Sequence, residues 1–286
     1  MSTSVPAIGK FQVIGTLGTG AHSTILHIRR QADSKPYALK VVPIASQQEM
    51  KFLQQAQHEF QVAQKLDHPN LIKIYSFETV RDWLLRIRKV HLLIEYVNGR
   101  TLDTFAHIPL PKLIRIFVQV AEGMVQMHRR GIYHADLKPN NVLLGRGGEV
   151  KVIDYGLAWI RGQHKGRVQG TPEYMAPEQI KNGIVNERTD IYNFGATMYR
   201  LVAQRLPPNS MPNKIQVDSR TLKKLLKPVQ ECNAEAPTVL CDVIHRCLSS
   251  EPNRRPERIS EIHGILDHLA DDLAVAPEEC VEELEW

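Results

Sequence analysis

The sequence predicts an α+β chain of two unequal lobes: a small N-terminal lobe built on an antiparallel sheet with one helix, and a larger, mainly helical C-terminal lobe. Two observations lead there. Up to about Val97, apolar residues alternate in short runs broken by glycine and proline, and a single long stretch has helical periodicity. Past Gly99 the pattern turns to helices joined by polar loops. A chain of 286 residues is long enough to bury a core in both lobes.

The elements follow in order. Residues 1–10 are expected to be a flexible N-terminus. "FQVIGTL", "TILHIRR" and "YALKVV" alternate as strands, with glycines separating the first two. "SQQEMKFLQQAQHEFQVAQKL" reads as a helix: Ser46 and Glu49 form a capping box, Met50, Leu53, Phe60 and Ala63 share a face, and "HPN" closes it at Pro69. "LIKIYSF" and "KVHLLIEYV" are two further strands, bracketing a basic stretch, "RDWLLRIR", that fits neither pattern. "KLIRIFVQVAEGMVQMHRR" is a helix ending at Gly131, a C-cap. "GRGG" is a turn between the short strands "NVLL" and "VKVIDY", and from about Pro177 helices and polar loops alternate. The expected divisions are residues 11–97 for the first lobe, 98–270 for the second and 271–286 for an acidic tail.

Composition narrows the function. No apolar run approaches bilayer length, and "MSTSVPAIGK" lacks a charged start followed by an apolar core, so a cytoplasmic chain without a membrane partner is expected. Cys232, Cys241, Cys247 and Cys280 form no C-x-x-C pair, which predicts free thiols rather than a metal site or disulfides. The net charge of +5 conceals an asymmetry: Asp271, Asp272, Glu278, Glu279, Glu282, Glu283 and Glu285 crowd the tail with no basic residue among them, leaving a more basic body. Its Lys and Arg are scattered and not interleaved with aromatics, so a nucleic-acid partner is not expected. The tail is either a terminal helix docking through Leu273, Val281, Leu284 and Trp286 or a disordered end, with binding to the basic body as a hypothesis.

Several segments carry chemistry. In "GTLGTGAHSTI", Gly18 and Gly20 leave backbone bare enough to approach a phosphate chain, although a glycine hairpin has the same look. Lys40 follows an apolar strand, and Glu59 lies beside the apolar stripe of the next helix. Together they make a fixed ammonium for a phosphate, or a surface ion pair worth well under about 1 kcal/mol. In "IYHADLKPNNVLL", Asp136 offers a carboxylate to a hydroxyl nucleophile, Lys138 offers charge to a transferring phosphoryl, and Asn141 offers an amide oxygen to a divalent metal. Asp154 in "VIDYGLA" is a second metal donor, and Gly156 lets the chain turn. Any one of these is readable as a turn residue; all of them in order are not.

Taken together, the segments resemble the eukaryotic-type (Hanks-type) Ser/Thr protein kinases, from about Phe11 to about Asp267. The set comprises the glycine loop, "YALK", Glu59, "HADLKPNN", "DYG", "GTPEYMAPE", "TDIYNFG" and "EPNRRP". The resemblance implies a bilobal protein-kinase fold, ATP with Mg²⁺ or Mn²⁺, and protein substrates. It implies nucleotide contacts at Leu17, Gly18, Gly20, Ile25, Ala38, Lys40, Leu143 and a hinge from Glu95 to Val97 behind Ile94. It implies catalytic roles for Asp136, Lys138, Lys40 and Glu59, and metal ligation by Asn141 and Asp154. His134 and Tyr155 resemble members of a packed spine with Ala63 and Ile74. Asp190 resembles a carboxylate steadying the catalytic loop, and Glu178 with Arg255 a bracing ion pair. Lys138 and Thr171 match the Ser/Thr rather than the tyrosine branch, while Thr101 and Asn140 stand where basic-directed relatives carry acids.

Three features depart from the pattern. Ser23 replaces the third loop glycine, Ala135 replaces the arginine before the catalytic Asp, and Gly156 to Gly170 contains no Ser, Thr or Tyr. Hence the expectation is a kinase active without phosphorylation of that loop, or one whose activation segment a regulatory partner orders. The rival readings are a catalytically silent binding module, against which Lys40, Asp136, Asn141 and Asp154 all stand, and a small-molecule kinase, which lacks a segment like "GTPEYMAPE".

Overall fold

A computed structural model describes residues 7–20, 22–163, 169–208, 221 and 224–274. Most of the expected N-terminal arm, and Val281, Leu284 and Trp286 of the tail, lie outside these residues. The chain forms two compact units, one running up to Asp67 and again from Ile72 to Asn98, the other comprising His68–Leu71 and the chain from Gly99 on. A strand-rich unit followed by a helical one is the α+β arrangement the sequence predicts.

The first unit is one six-stranded antiparallel sheet: β1 (Ala7–Ile8), β2 (Phe11–Gly20), β3 (Ser23–Arg30), β4 (Pro36–Pro43), β5 (Ile74–Arg81) and β6 (Ile87–Glu95), in the order β1-β2-β3-β4-β6-β5. Ile28, Tyr37 and Leu39 form its core, with Phe11, Val13 and Leu26 packed against them. Gly18 and Gly20 are strand residues at the end of β2, facing Ile25 and Ser23 across the hairpin, rather than loop residues between strands.

The helix α1 (Met50–Ala63) follows a short 3-10 turn in which the Glu49 carboxylate accepts the Ala45 and Ser46 N–H groups at 2.6 and 3.2 Å. It differs from expectation in two ways. Its buried face is Ala56, Glu59, Val62 and Ala63, with Met50, Leu53 and Phe60 half-buried at the margin. It also ends at Ala63, well before Pro69, because the Lys65 and Leu66 N–H groups tighten onto the carbonyls of Val62 and Ala63. The unassigned stretch "RDWLLRIR" is the end of β5, a turn at 82–86 and the start of β6, organised by one carboxylate. Asp82 accepts Leu84 N–H at 2.9 Å, Arg86 N–H at 3.0 Å and Arg88 Nε at 2.8 Å. Desolvation opposes the charge on Asp82, but these donors outweigh it and hold the carboxyl below its usual range. At the tip Leu85 adopts φ 60° and Trp83 is 88% exposed.

The second unit carries β7 (Gly99–Thr101), α2 (Leu110–Arg129), β8 (Ile132–Tyr133), β9 (Val142–Gly145), β10 (Val150–Val152), β11 (Trp159–Ile160), α3 (Pro177–Asn182), α4 (Glu187–Val202), α5 (Val229–Cys232), α6 (Thr238–Cys247) and α7 (Ile259–Ala274). A three-stranded sheet runs β10-β9-β7, and β11 pairs with β8. The helix α2 packs on α7, and α4 on α6. Gly131, at φ 67°, gives its N–H to the His128 carbonyl and turns the chain out of α2 into β8. At Gly195 of α4 a Cβ would stand 2.5 Å from Cys247 Cβ, so the α4–α6 contact requires glycine there. The end helix continues through Asp271 and Asp272 to Ala274. Cys232, Cys241 and Cys247 are free thiols, Cys280 lying outside the described residues; burial pushes the Cys247 thiol up to about 12. Among the described residues no helix is long and apolar enough to cross a membrane.

Candidate active site

In the second unit the site begins at a cap. Asn186 accepts the Arg188 and Thr189 N–H groups at 2.9 and 3.3 Å, starting α4 and setting Asp190 in its first turn. Asp190 is fully buried and receives three donors: His134 N–H at 2.8 Å, Ala135 N–H at 2.7 Å and His128 Nε2 at 2.7 Å. Two of these pin the backbone at Ala135, which holds φ 66° although it has a Cβ. That left-handed turn reverses the loop just before Asp136.

Asp136 is 7% exposed and held through both oxygens. Oδ1 accepts Thr171 N–H at 2.7 Å; Oδ2 accepts Lys138 Nζ at 3.0 Å and, at 3.4 Å, Asn141 Nδ2. Lys138 Nζ also donates to Thr171 Oγ1 at 2.5 Å. The structure thus brings together Asp136, Lys138, Asn141 and Thr171. Asn141 gives Nδ2 to the Asp136 carbonyl at 2.9 Å, which turns its amide oxygen the other way. Its own backbone carbonyl accepts Ile153 N–H at 2.9 Å, so Asp154 follows on neighbouring backbone. Asp154 is exposed, at φ 66°, with Oδ1 accepting Gly156 N–H at 3.1 Å. The rings of His134 and Tyr155 sit edge to face at 6.4 Å, both fully buried. An exposed carboxylate and an oriented amide oxygen are hard donors of the kind Mg²⁺ takes alongside phosphate and water. Among the described residues no three His, Cys, Asp or Glu make an all-protein cage. By their chemistry, Asn141 and Asp154 fit an ion that takes its remaining oxygens from phosphate and water.

The first unit carries the other candidates. Lys40 lies on β4 between Ile25 and Leu92 of the flanking strands, and its Nζ is 2.7 Å from Glu59 Oε2. The side chains are 18% and 4% exposed, so this is not a solvated surface pair. Ala38 lies between His27 and Ile94, and Glu95 faces Tyr37 while its Oε2 accepts Lys73 N–H at 3.1 Å. Leu17 is exposed, whereas Ile25, Val97 and, in the second unit, Leu143 are half-buried.

Glu178 and Arg255 form a bidentate pair at 2.7 and 2.8 Å, the guanidinium also bonding the carbonyls of Arg188 and Ser249. His128 and Gln179 are among the buried polar residues that the sequence did not mark. His128 touches Asp190 through Nε2, and its Nδ1 lies 3.1 Å from Glu187 Oε1 in an ion pair of poor hydrogen-bond angle. Burial alone would discharge it, but Asp190 and Glu187 overcome that and hold the imidazolium up to about 9. Gln179, 1% exposed, reaches the Ala135 carbonyl. Neither is marked by spacing: His128 looks like one polar break in an apolar helix face, and Gln179 like an ordinary residue of a helical first turn.

The model of the protein kinase domain matches residues 11–269. Among curated relatives, Serine/threonine-protein kinase PrkC of Bacillus subtilis is 26% identical over 264 residues, 90% of this chain and 40% of the relative. CBL-interacting protein kinase 1 of Oryza sativa is 28% identical over 283 residues, 93% of this chain and 57% of the relative. Serine/threonine-protein kinase pkn2 of Myxococcus xanthus is 28% identical over 287 residues, 94% of this chain and 32% of the relative. The chain thus spans between 32% and 57% of the length of these relatives.

Proposed function

Because the chain belongs to the protein kinase family, we propose that it transfers the γ-phosphate of ATP to Ser or Thr hydroxyls of protein substrates, and that it does so without phosphorylation of its activation loop. The observation carrying the reading is the Asp136 carboxylate held between Lys138 and Thr171. Held there, Asp136 orients the incoming hydroxyl and takes its proton, while Lys138 presents positive charge to the phosphoryl group as it moves. Asn141 and Asp154 would hold Mg²⁺ or Mn²⁺. When bound, the ion neutralises phosphate charge that would repel the nucleophile. Lys40, fixed by Glu59, is the ammonium for the α- and β-phosphates. Leu17, Gly18, Gly20, Ile25, Ala38, Glu95, Val97 and Leu143 are the proposed nucleotide contacts.

Restriction to Ser and Thr is supported by Lys138 two positions after Asp136 and by its bond to Thr171. Independence from loop phosphorylation is supported by Ala135, which offers no charge for a phosphate to neutralise, and by the lack of Ser, Thr or Tyr from Gly156 to Gly170. The test is ATP–Mg²⁺ turnover on a generic protein by phosphatase-treated enzyme, with Asp136→Ala as blank and the products hydrolysed for phosphoamino acids. Phosphoserine and phosphothreonine at undiminished rate are expected. Mainly phosphotyrosine, or activity that returns only on rephosphorylation of the loop, refutes the respective half. An inactive chain revived by a second protein points instead to a partner that orders the segment.

A further inference from the structure

The loop bearing Asp136 is tied to the segment bearing Thr171 by the Asp136–Thr171 and Lys138–Thr171 bonds, and the backbone at Ala135 is free to take a further, uncharged tie. Gln179 of α3 is placed to supply one. Its Nε2 donates to the Ala135 carbonyl at 2.8 Å and to the Gln169 carbonyl at 3.1 Å. Its Oε1 faces the Ala176 N–H at 3.4 Å and Asn193 Nδ2 at 3.5 Å, so donors and acceptors around the amide fix its orientation. The side chain is 1% exposed, and water has no access to replace these bonds. Asn193 extends the tie by donating Nδ2 to the Tyr174 carbonyl at 2.6 Å.

Both ends are critical places. The Ala135 peptide is the left-handed turn before Asp136, held on its N–H side by Asp190 and on its carbonyl side by Gln179. Gln169 lies two residues before Thr171, whose N–H grips Asp136. The amide therefore closes a circuit: Asp136 to Thr171, through Gly170 to Gln169, across Gln179, and back through Ala135. Gly170 fits the closure, since a Cβ there would stand 3.1 Å from Gln179 Nε2. The plain alternative is that Gln179 merely caps α3 at its third position. A cap uses only Oε1; the two Nε2 bonds are in excess of it.

We propose that Gln179 is a positioning residue that locks the catalytic loop to the activation segment through neutral amide–carbonyl bonds. The inference rests on the kinase reading above. Gln179→Glu separates the roles, because a carboxylate keeps the acceptor that caps α3 and loses the donor to both carbonyls. In steady-state kinetics this variant should lose roughly 10- to 100-fold in kcat with little change in KM for ATP, as a reacting group displaced by about 1 Å would. Amide hydrogen exchange on the same protein without nucleotide should quicken at 134–137 and 169–171 and stay protected across α2 and α4. Gln179→Met, which lacks donor and acceptor alike, should show the same local exchange and a lower melting temperature besides. Unchanged kcat and exchange in Gln179→Glu, or protection lost throughout the unit, overturns the inference. A wild-type chain with no phosphotransfer, alone or with a second protein added, but with the local exchange response in Gln179→Glu refutes the kinase reading and leaves the tie standing.

Discussion

At the scale of single residues, the site rests on carboxylates held in place by several donors. Asp136 accepts from Thr171, Lys138 and Asn141, so its geometry is set before any substrate arrives. Asp136→Asn should lower kcat by about 10²- to 10⁴-fold, the usual worth of a positioned base, and should lower the melting temperature as well, because an amide NH2 would face donors that a carboxylate oxygen accepts. His128 makes a separate prediction. Its imidazole is ordinarily half-charged near 6.5, and in the fold it is held to about 9 despite its burial. Because the folded value is raised, the ion pairs with Asp190 and Glu187 contribute fully below about pH 6.5 and are lost as pH rises through about 9. Melting temperature should therefore fall between these limits, and His128→Gln should flatten the slope in calorimetry across a pH series. Neither pairing was legible in advance. Order along the chain marks chemically apt side chains, but the contact of His128 with Asp190 joins residues far apart on two helices, where no periodicity points.

At the scale of elements, alternation was a reliable guide to strands and 3.6-residue spacing to α2, because each has one face turned to a core. It faltered where local hydrogen bonds decide. The end of α1 is set by tightened turns after Ala63 and not by Pro69, and the β5–β6 turn is written by Asp82 side-chain bonds that leave no hydrophobic signature. Glu59 was legible only as adjacent to the apolar stripe; it proves to be on the buried face itself, where its partner Lys40 makes the position tolerable. The close approach of α4 to α6 yields a test at this scale. Gly195→Ala puts a methyl 2.5 Å from Cys247 Cβ and should cost about 1–3 kcal/mol in urea unfolding, whereas Gly264→Ala, whose Cβ meets nothing within 4 Å, should cost nothing or stabilise α7 slightly.

At the scale of the whole molecule, the family motifs fall on two separately packed units, and much of the buried polar budget of the second goes into holding its loops. The Glu178–Arg255 pair is one of these, the Arg255 side chain being 0% exposed and stacked 4.9 Å over Tyr192. Arg255→Met should destabilise the protein by about 3–5 kcal/mol, because it strands the Glu178 charge. Adding Glu178→Gln should recover part of that loss, and a double-mutant cycle in denaturant measures the coupling. The hairpin tip has a different consequence. Of the three tryptophans, Trp159 is half-buried and Trp286 lies outside the described residues, while Trp83 stands almost wholly in water on a turn that Asp82 keeps stiff. It is a native optical probe: red-emitting, open to acrylamide, silenced by Trp83→Phe, and shifting to the blue the moment anything settles on that corner of the sheet.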